Sequence, residues 1–218
     1  MKIKLILRYR TPNQAEVQFE TNWFDDQMLE FILNDFSKLR GIKTITVLDD
    51  MGAEWSLKEF GKLKKKVEAE ARNPIIFFDG GYQKGSGETG IGIAIYYEKG
   101  DDRFRLRCND KLDGIASSNE AEYAALFNAV SMLEELGIRH TPCTIKGDGQ
   151  GALKQLAGEW PCYQPELCNW LDKIEMKLNE LHIMPVLEVI SRSDNKEADK
   201  LARQALENKF IHSHTKLV

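Results

Sequence analysis

The sequence predicts an α/β protein: a mixed sheet with helices on both faces, preceded by a small α+β unit. Three observations carry this. Residues 75–81, IIFFDGG, read as a buried central strand that runs straight into an acid and two glycines. Downstream, the apolar pattern runs β-β-β-α-β-α-α-β-α with short connections, the order of a mixed sheet covered by helices. Upstream, residues 1–71 hold alternating strands and two amphipathic helices, with no cluster of residues that suggests chemistry.

The elements follow in order. Residues 2–10 alternate Ile3, Leu5, Leu7 and Tyr9 against mostly Lys and Arg, a half-buried strand. The turn TPNQ and a second alternation, Ala15, Val17, Phe19, predict a hairpin. Asp25 and Asp26 suit a helix N-terminus. Met28, Leu29, Ile32, Leu33, Phe36 and Leu39 then recur at helical spacing up to Gly41. A strand at 44–48 and a return strand near Trp55 lead to a helix opened by a Ser56–Glu59 capping box. That helix is expected to end near Asn73-Pro74, where a second domain begins. Its Lys64-Lys65-Lys66 run reads as a solvated face. In the larger unit, strands are expected at 75–78, 91–97, 103–107, 143–146 and 185–191. Helices are expected at 118–136, after Gly149 to Gly158, at 165–181 and at 195–208. The unit spans 74–210, and 211–218, with His212 and His214, reads as a frayed tail.

Composition narrows the function classes. The 218 residues are 42% hydrophobic and 29% charged, ordinary for a soluble globular protein. No run approaches the roughly 18 apolar residues of a membrane helix, so no membrane association is expected. The N-terminus is too broken by charge for a signal peptide. Cys108, Cys143, Cys162 and Cys168 form no CxxC pair and read as reduced thiols of a cytoplasmic protein. A net charge of −4 counts against a nucleic-acid-coating protein, though not against an enzyme that meets nucleic acid through local contacts.

The chemistry lies in four acids. Asp79 and Asp148 each end a predicted strand, and ligands of α/β sheets collect at such ends. Glu122 and Asp199 each lie one turn into a helix, beside its apolar face. Gathered together, four carboxylates repel one another, and divalent oxygen-loving cations remove that repulsion. Two such ions roughly 4 Å apart can activate a water and stabilise the leaving oxygen of a phosphodiester. No His or Cys falls at these positions, which disfavours zinc. Each acid alone has a plainer reading: a strand-end turn residue for Asp79, a helix cap for Asp148, solvated helix acids for the other two.

With those motifs in view, residues 75 to about 208 resemble a type 1 ribonuclease H domain of the reverse-transcriptase-like or archaeal-like branch. The resemblance is carried by FFDGG, SSNEAEYAAL, KGDGQ and DNKEADKLARQA, in that order and on matching elements. It implies a ribonuclease H-like five-stranded mixed sheet, two Mg²⁺ or Mn²⁺ ions, and cleavage of the RNA strand of RNA–DNA hybrids. It makes Asp79, Glu122, Asp148 and Asp199 the catalytic metal ligands. It gives Asn119 and Gln150 contacts in the hybrid's minor groove, Ser117 a DNA phosphate, and Arg192 a substrate contact in the loop where many members carry a histidine. The N-terminal unit resembles no family, and residues 1–71 are left as a contact for a protein partner or nucleic acid. Three departures favour an alternative, a catalytically weak or inactive nucleic-acid-binding protein. The usual Asn-Pro-Gly after the first acid is replaced by a glycine-rich segment with bulky Tyr82. The loop histidine is absent. GEWPCYQPELCNW stands in place of the basic protrusion. Trp160, Tyr163 and Trp170 in and after that segment read as core and loop packing rather than stacking surfaces.

Overall fold

The computed structural model describes residues 1–217, which divide into two compact units, Met1–Val67 and Glu68–Val218. No helix among the described residues is long and apolar enough to cross a membrane.

The first unit is a five-stranded antiparallel sheet. Its strands are β1 (Lys2–Arg10), β2 (Glu16–Glu20), β3 (Phe24–Asp25), β4 (Ile42–Asp49) and β5 (Glu54–Ser56). The sheet order is β2-β1-β4-β5, with β3 pairing β1. Helices α1 (Leu29–Ser37) and α2 (Leu57–Ala69) complete the unit. The alternation in β1 buries Ile3, Leu5 and Leu7 with Val47, Leu29 and Phe60. Buried Asp49 accepts hydrogen bonds from the backbone of Met51 and Ala53 and from the Trp55 indole at 2.9 Å, which hold its carboxyl below the usual range. The capping box forms: Glu59 N–H donates to Ser56 Oγ at 3.2 Å, and Ser56 N–H donates to Glu59 Oε2 at 3.0 Å.

One residue, Glu70, separates α2 from the first strand of the second unit. Strand β6 (Ala71–Tyr82) contains Asn73-Pro74 rather than following them. Pro74 has no N–H for a ladder, and the register shifts between Arg72 and Ile75, with Asn73 at φ +51°. The proline marks a bulge, not the end of a helix. Then come β7 (Thr89–Lys99), β8 (Asp102–Leu112), α3 (Ser118–Glu135), β9 (Cys143–Gly147), α4 (Gln150–Leu156), α5 (Pro165–Glu180), β10 (Pro185–Val189), α6 (Lys196–Leu206) and β11 (His212–Leu217).

The sheet order is β10-β9-β6-β7-β8-β11, with β9 parallel to both its neighbours and the other pairs antiparallel. Six strands replace the expected five, because 212–217 is not a frayed tail. It pairs with β8, whose edge would otherwise be open. His214 Nε2 lies 2.6 Å from the Tyr97 hydroxyl, and its ring packs on Tyr97 and Phe104.

Side-chain alternation assigns the two faces of the sheet. Ile76, Phe78, Ile91, Ile93 and Ile95 enter the core shared with Tyr123, Leu126, Val130 and Leu133 of α3 and with Ile174 and Leu178 of α5. Each such side chain, fully buried, contributes about 1.5–3 kcal/mol. The other face receives α6 through Ala198, Leu201, Ala202 and Ala205. Two glycines allow these approaches. A Cβ on Gly80 would strike the backbone of Ala121 in α3, and one on Gly92 would strike the backbone of Ala198 in α6. Both helices therefore lie close to the end of β6, where the first acid stands.

Candidate active site

Asp79 sits near the end of β6, opposite Gly92 on β7, and so belongs to the α6 face. Asp148 follows the last residue of β9, and β9 runs parallel to β6, so both acids emerge at the same end of the sheet. Glu122 lies in the second turn of α3. Its carboxylate occupies the space a Cβ on Gly149 would need, which brings it beside the β9–α4 junction. Asp199 lies in the first turn of α6 and is buried.

The charges of these acids act on one another. Burial first, then the negative charges of Asp148 and Asp199, push the Asp79 carboxyl up to about 6. Burial first, then Asp79 and Asp148, push Glu122 up to about 7. Two arginines oppose this at the Asp199 end. Arg203, one turn on in α6, reaches Asp199 Oδ2 at 2.6 Å, and Arg192 donates to Oδ1 at 3.1 Å. Both guanidinium groups are otherwise exposed.

A residue that the sequence reading had treated as a helix boundary joins two of the strands. Asn195, fully buried, donates through Nδ2 to Phe78 O at 2.9 Å and to Asp148 Oδ1 at 2.6 Å. Its Oδ1 has no partner among the described residues. The signal available was its place just before α6, three residues ahead of Ala198 and the apolar stripe, where a polar side chain can turn inward. Arg203 was legible as an (i, i+4) partner of Asp199 and was missed.

The remaining expected residues fall around this group. Ser117 caps α3: its Oγ accepts the Glu120 N–H at 3.1 Å. Asn119 is exposed and lines a cavity of about 370 Å³ together with Glu122, Tyr123, Gln155, Trp160 and Tyr163. Gln150 is exposed at the first position of α4. Asp148 does not cap α4; Gly149 holds that position. Tyr82 points to the face opposite Asp79 and packs with Ile115, Ala121 and Ala124. Trp170 packs against Phe127, but Tyr163 is 84% exposed and Trp160 44%, so the expected loop packing of these two is not found.

The donor set is all oxygen, which suits hard cations such as Mg²⁺ or Mn²⁺. The raised carboxyls of Asp79 and Glu122 are a repulsion that a cation would relieve. Among the described residues no group of three or more His, Cys, Asp or Glu side chains is arranged to hold a metal ion.

A family model described as reverse transcriptase-like matches residues 77–205. Over the whole chain the sequence is 40% identical to the uncharacterised protein YpeP of Bacillus subtilis, covering 96% of that protein. The structure resembles ribonuclease H1 of the archaeon Halobacterium salinarum, with TM-score 0.55 and 26% identity over 62% of this chain and 98% of that one. It also resembles LC11-RNase H1 in complex with an RNA/DNA hybrid, with TM-score 0.54 and 28% identity over 62% and 98% of the two chains.

Proposed function

Because this chain belongs to the ribonuclease H family, in its reverse transcriptase-like group, we propose that it is a metal-dependent endonuclease that cleaves the RNA strand of RNA–DNA hybrids. The observation that carries this reading is the mutual charge of Asp79, Glu122, Asp148 and Asp199, four carboxylates from four segments at one end of a sheet.

In this reading the four acids hold two Mg²⁺ or Mn²⁺ ions, which supply charge neutralisation at the phosphodiester and a water of lowered pKa. The protein's own residues do the rest. Asn195 holds Asp148 at the end of β9 and ties it to the β6 backbone, so these two strand ends keep a set spacing. Asn119 and Gln150 present exposed amides beside the acids, suited to the 2′-hydroxyls and base edges of a wide minor groove. Ser117, at the N-terminus of α3, offers a hydroxyl and helix-end N–H groups to a phosphate of the DNA strand. Arg192 and Arg203 hold Asp199 and carry exposed positive charge toward a phosphate. Residues 1–71 are read as a surface for a protein partner or nucleic acid, on the strength of exposed Phe19, Trp23, Phe31 and Leu39.

One observation favours the second reading, a nucleic-acid-binding protein with little or no catalysis: Asp199 is already paired with two arginines. A cleavage assay decides. Labelled hybrid, duplex RNA and duplex DNA are incubated with Mg²⁺, with Mn²⁺ and with chelator. The expected outcome is metal-dependent cutting of the RNA in the hybrid alone. Retention of hybrid without cutting under either metal moves the assignment to the binding protein.

A further inference from the structure

The segment between α4 and α5 brings two thiols together. Cys162 lies in the loop, and Cys168 is the fourth residue of α5. The Cys168 S–H donates to Cys162 Sγ at 2.7 Å. That is well inside the van der Waals separation of two sulfur atoms and only a little beyond the roughly 2.05 Å of a disulfide. Both are partly exposed, whereas Cys108 and Cys143 are buried in the core.

The loop carrying Cys162 also walls the cavity beside the acids. Trp160, Tyr163 and Gln164 face it from one side, Asn119 and Glu122 from the other. Both ends of that wall are tied: Trp160 N–H donates to Lys154 O at 3.1 Å, Cys168 N–H donates to Gln164 O at 3.0 Å, and Cys162 packs against the core. Gln155 Nε2 donates to Pro161 O at 2.9 Å, and the Lys154 ammonium lies 4.9 Å from the Trp160 ring. Tyr163 projects almost wholly into solvent.

We propose that Cys162 and Cys168 form a reversible dithiol–disulfide site oxidised by small-molecule disulfides, and that closing the bridge fixes residues 160–164 as a rigid wall of the cavity beside Glu122. In the first step one cysteine thiolate attacks a sulfur of R–S–S–R. A mixed disulfide forms and RS⁻ leaves, taking up the proton the cysteine lost. The second cysteine, deprotonated in turn, attacks the protein sulfur of the mixed disulfide and releases the second RS⁻, which is protonated likewise. Two protein thiols become one disulfide, and one R–S–S–R becomes two RSH. Burial first, then the neighbouring Cys168, push the Cys162 thiol up to about 11, so bridging is slow at neutral pH and speeds up as pH rises. The bridge stands on the thiol geometry alone; its effect on substrate rests on the hybrid-cleaving reading.

The test uses the full chain equilibrated with mixtures of reduced and oxidised glutathione, then alkylated and digested. The expected result is paired loss of the Cys162 and Cys168 thiols with recovery of a crosslinked peptide, while Cys108 and Cys143 stay reduced. Cys162→Ser and Cys168→Ser each abolish the crosslink and leave a glutathione adduct on the remaining thiol. Hydrogen exchange at 160–164 is expected to slow about tenfold on oxidation, because the loop's opening is then constrained covalently. No crosslink at any glutathione ratio, or a crosslink without slower exchange at 160–164, overturns the proposal. If crosslink and slowed exchange both appear but KM for hybrid is the same in both redox forms, the effect of the bridge on substrate is overturned; if neither redox form cuts hybrid, the hybrid-cleaving reading fails and the bridge stands.

Discussion

Asn195 and Asp148, 47 residues apart in sequence, are joined by a 2.6 Å hydrogen bond from a fully buried amide to a carboxylate. The same amide nitrogen holds the backbone of β6 through Phe78 O. Asn195→Ala leaves one buried acceptor, Phe78 O, and one partly buried acceptor, Asp148 Oδ1, without this donor, a loss of about 2–3 kcal/mol. The expected fall in Tm is about 5–10 °C, from the usual 2–4 °C per kcal/mol in chains of this size. Asn195→Asp sets a second carboxylate against Asp148, so its Tm falls further at pH 8 than at pH 5. Thermal melts of the two variants at both pH values check this, and an equal loss for Asp at the two pH values contradicts it.

Asp148→Asn keeps the volume of the side chain and an acceptor for Asn195, but removes a charge. Hybrid cleavage is expected to fall about a thousandfold, the effect of losing several kcal/mol of charge stabilisation. Stability is expected to hold or rise at pH 8, because Asp148 contributes to the repulsion felt by Asp79 and Glu122. Single-turnover rates together with melts test this. Full activity would sink the two-metal assignment.

The two raised carboxyls make stability depend on pH in a definite direction. In the folded chain Asp79 and Glu122 titrate at about 6 and about 7, against ordinary values of 3.8 and 4.5. Between the two sets of values the folded state binds more protons than the unfolded state, so stability falls as pH rises from about 4.5 to 7.5. Without divalent cation, Tm is expected to drop by several degrees across that range. Millimolar Mg²⁺ is expected to restore it at pH 8 and to do little at pH 5, where the ligands are protonated. Melts across pH, with and without Mg²⁺, give the answer.

Arg203→Gln removes one of the two cations that pair with Asp199. Asp199 is buried, but the Arg203 end of the pair is exposed and Arg192 remains as a partner, so metal-free stability is expected to fall by only about 1 kcal/mol. Asp199 becomes easier for a divalent cation to reach, and the Mg²⁺ concentration at half-maximal thermal stabilisation is expected to fall about two- to fivefold. A rise in that midpoint would mean that Arg203 supports the cation site rather than competing for it.

What the sequence revealed followed from strong local patterns. The buried run before Asp79, the small-residue face of α6 and the Ser56–Glu59 capping box each state their structure within a few residues. Asp79 and Asp148 drew attention as strand-end acids, and Glu122 and Asp199 as acids one turn into a helix beside its apolar face; their role as metal ligands is part of the proposed function. The misses have a different cause. Residues 212–217, HSHTKL, carry little apolar alternation, and only the open edge of β8 makes them a strand. Asn73-Pro74 has the chemistry of a break, and only the neighbouring strand turns it into a bulge. Asn195 acts through Phe78 and Asp148, which lie far away in sequence. Local pattern reports a residue's own element well and its distant partners poorly.

The pairing of β11 with β8 has a consequence for synthesis on the ribosome. About a hundred residues separate the end of β8 at Leu112 from the start of β11 at His212. At elongation rates of about 5–20 residues per second, β8 waits roughly 5–20 s for its neighbour. During that interval the nascent chain carries an uncovered strand with free backbone amides, an edge open to pairing with another chain.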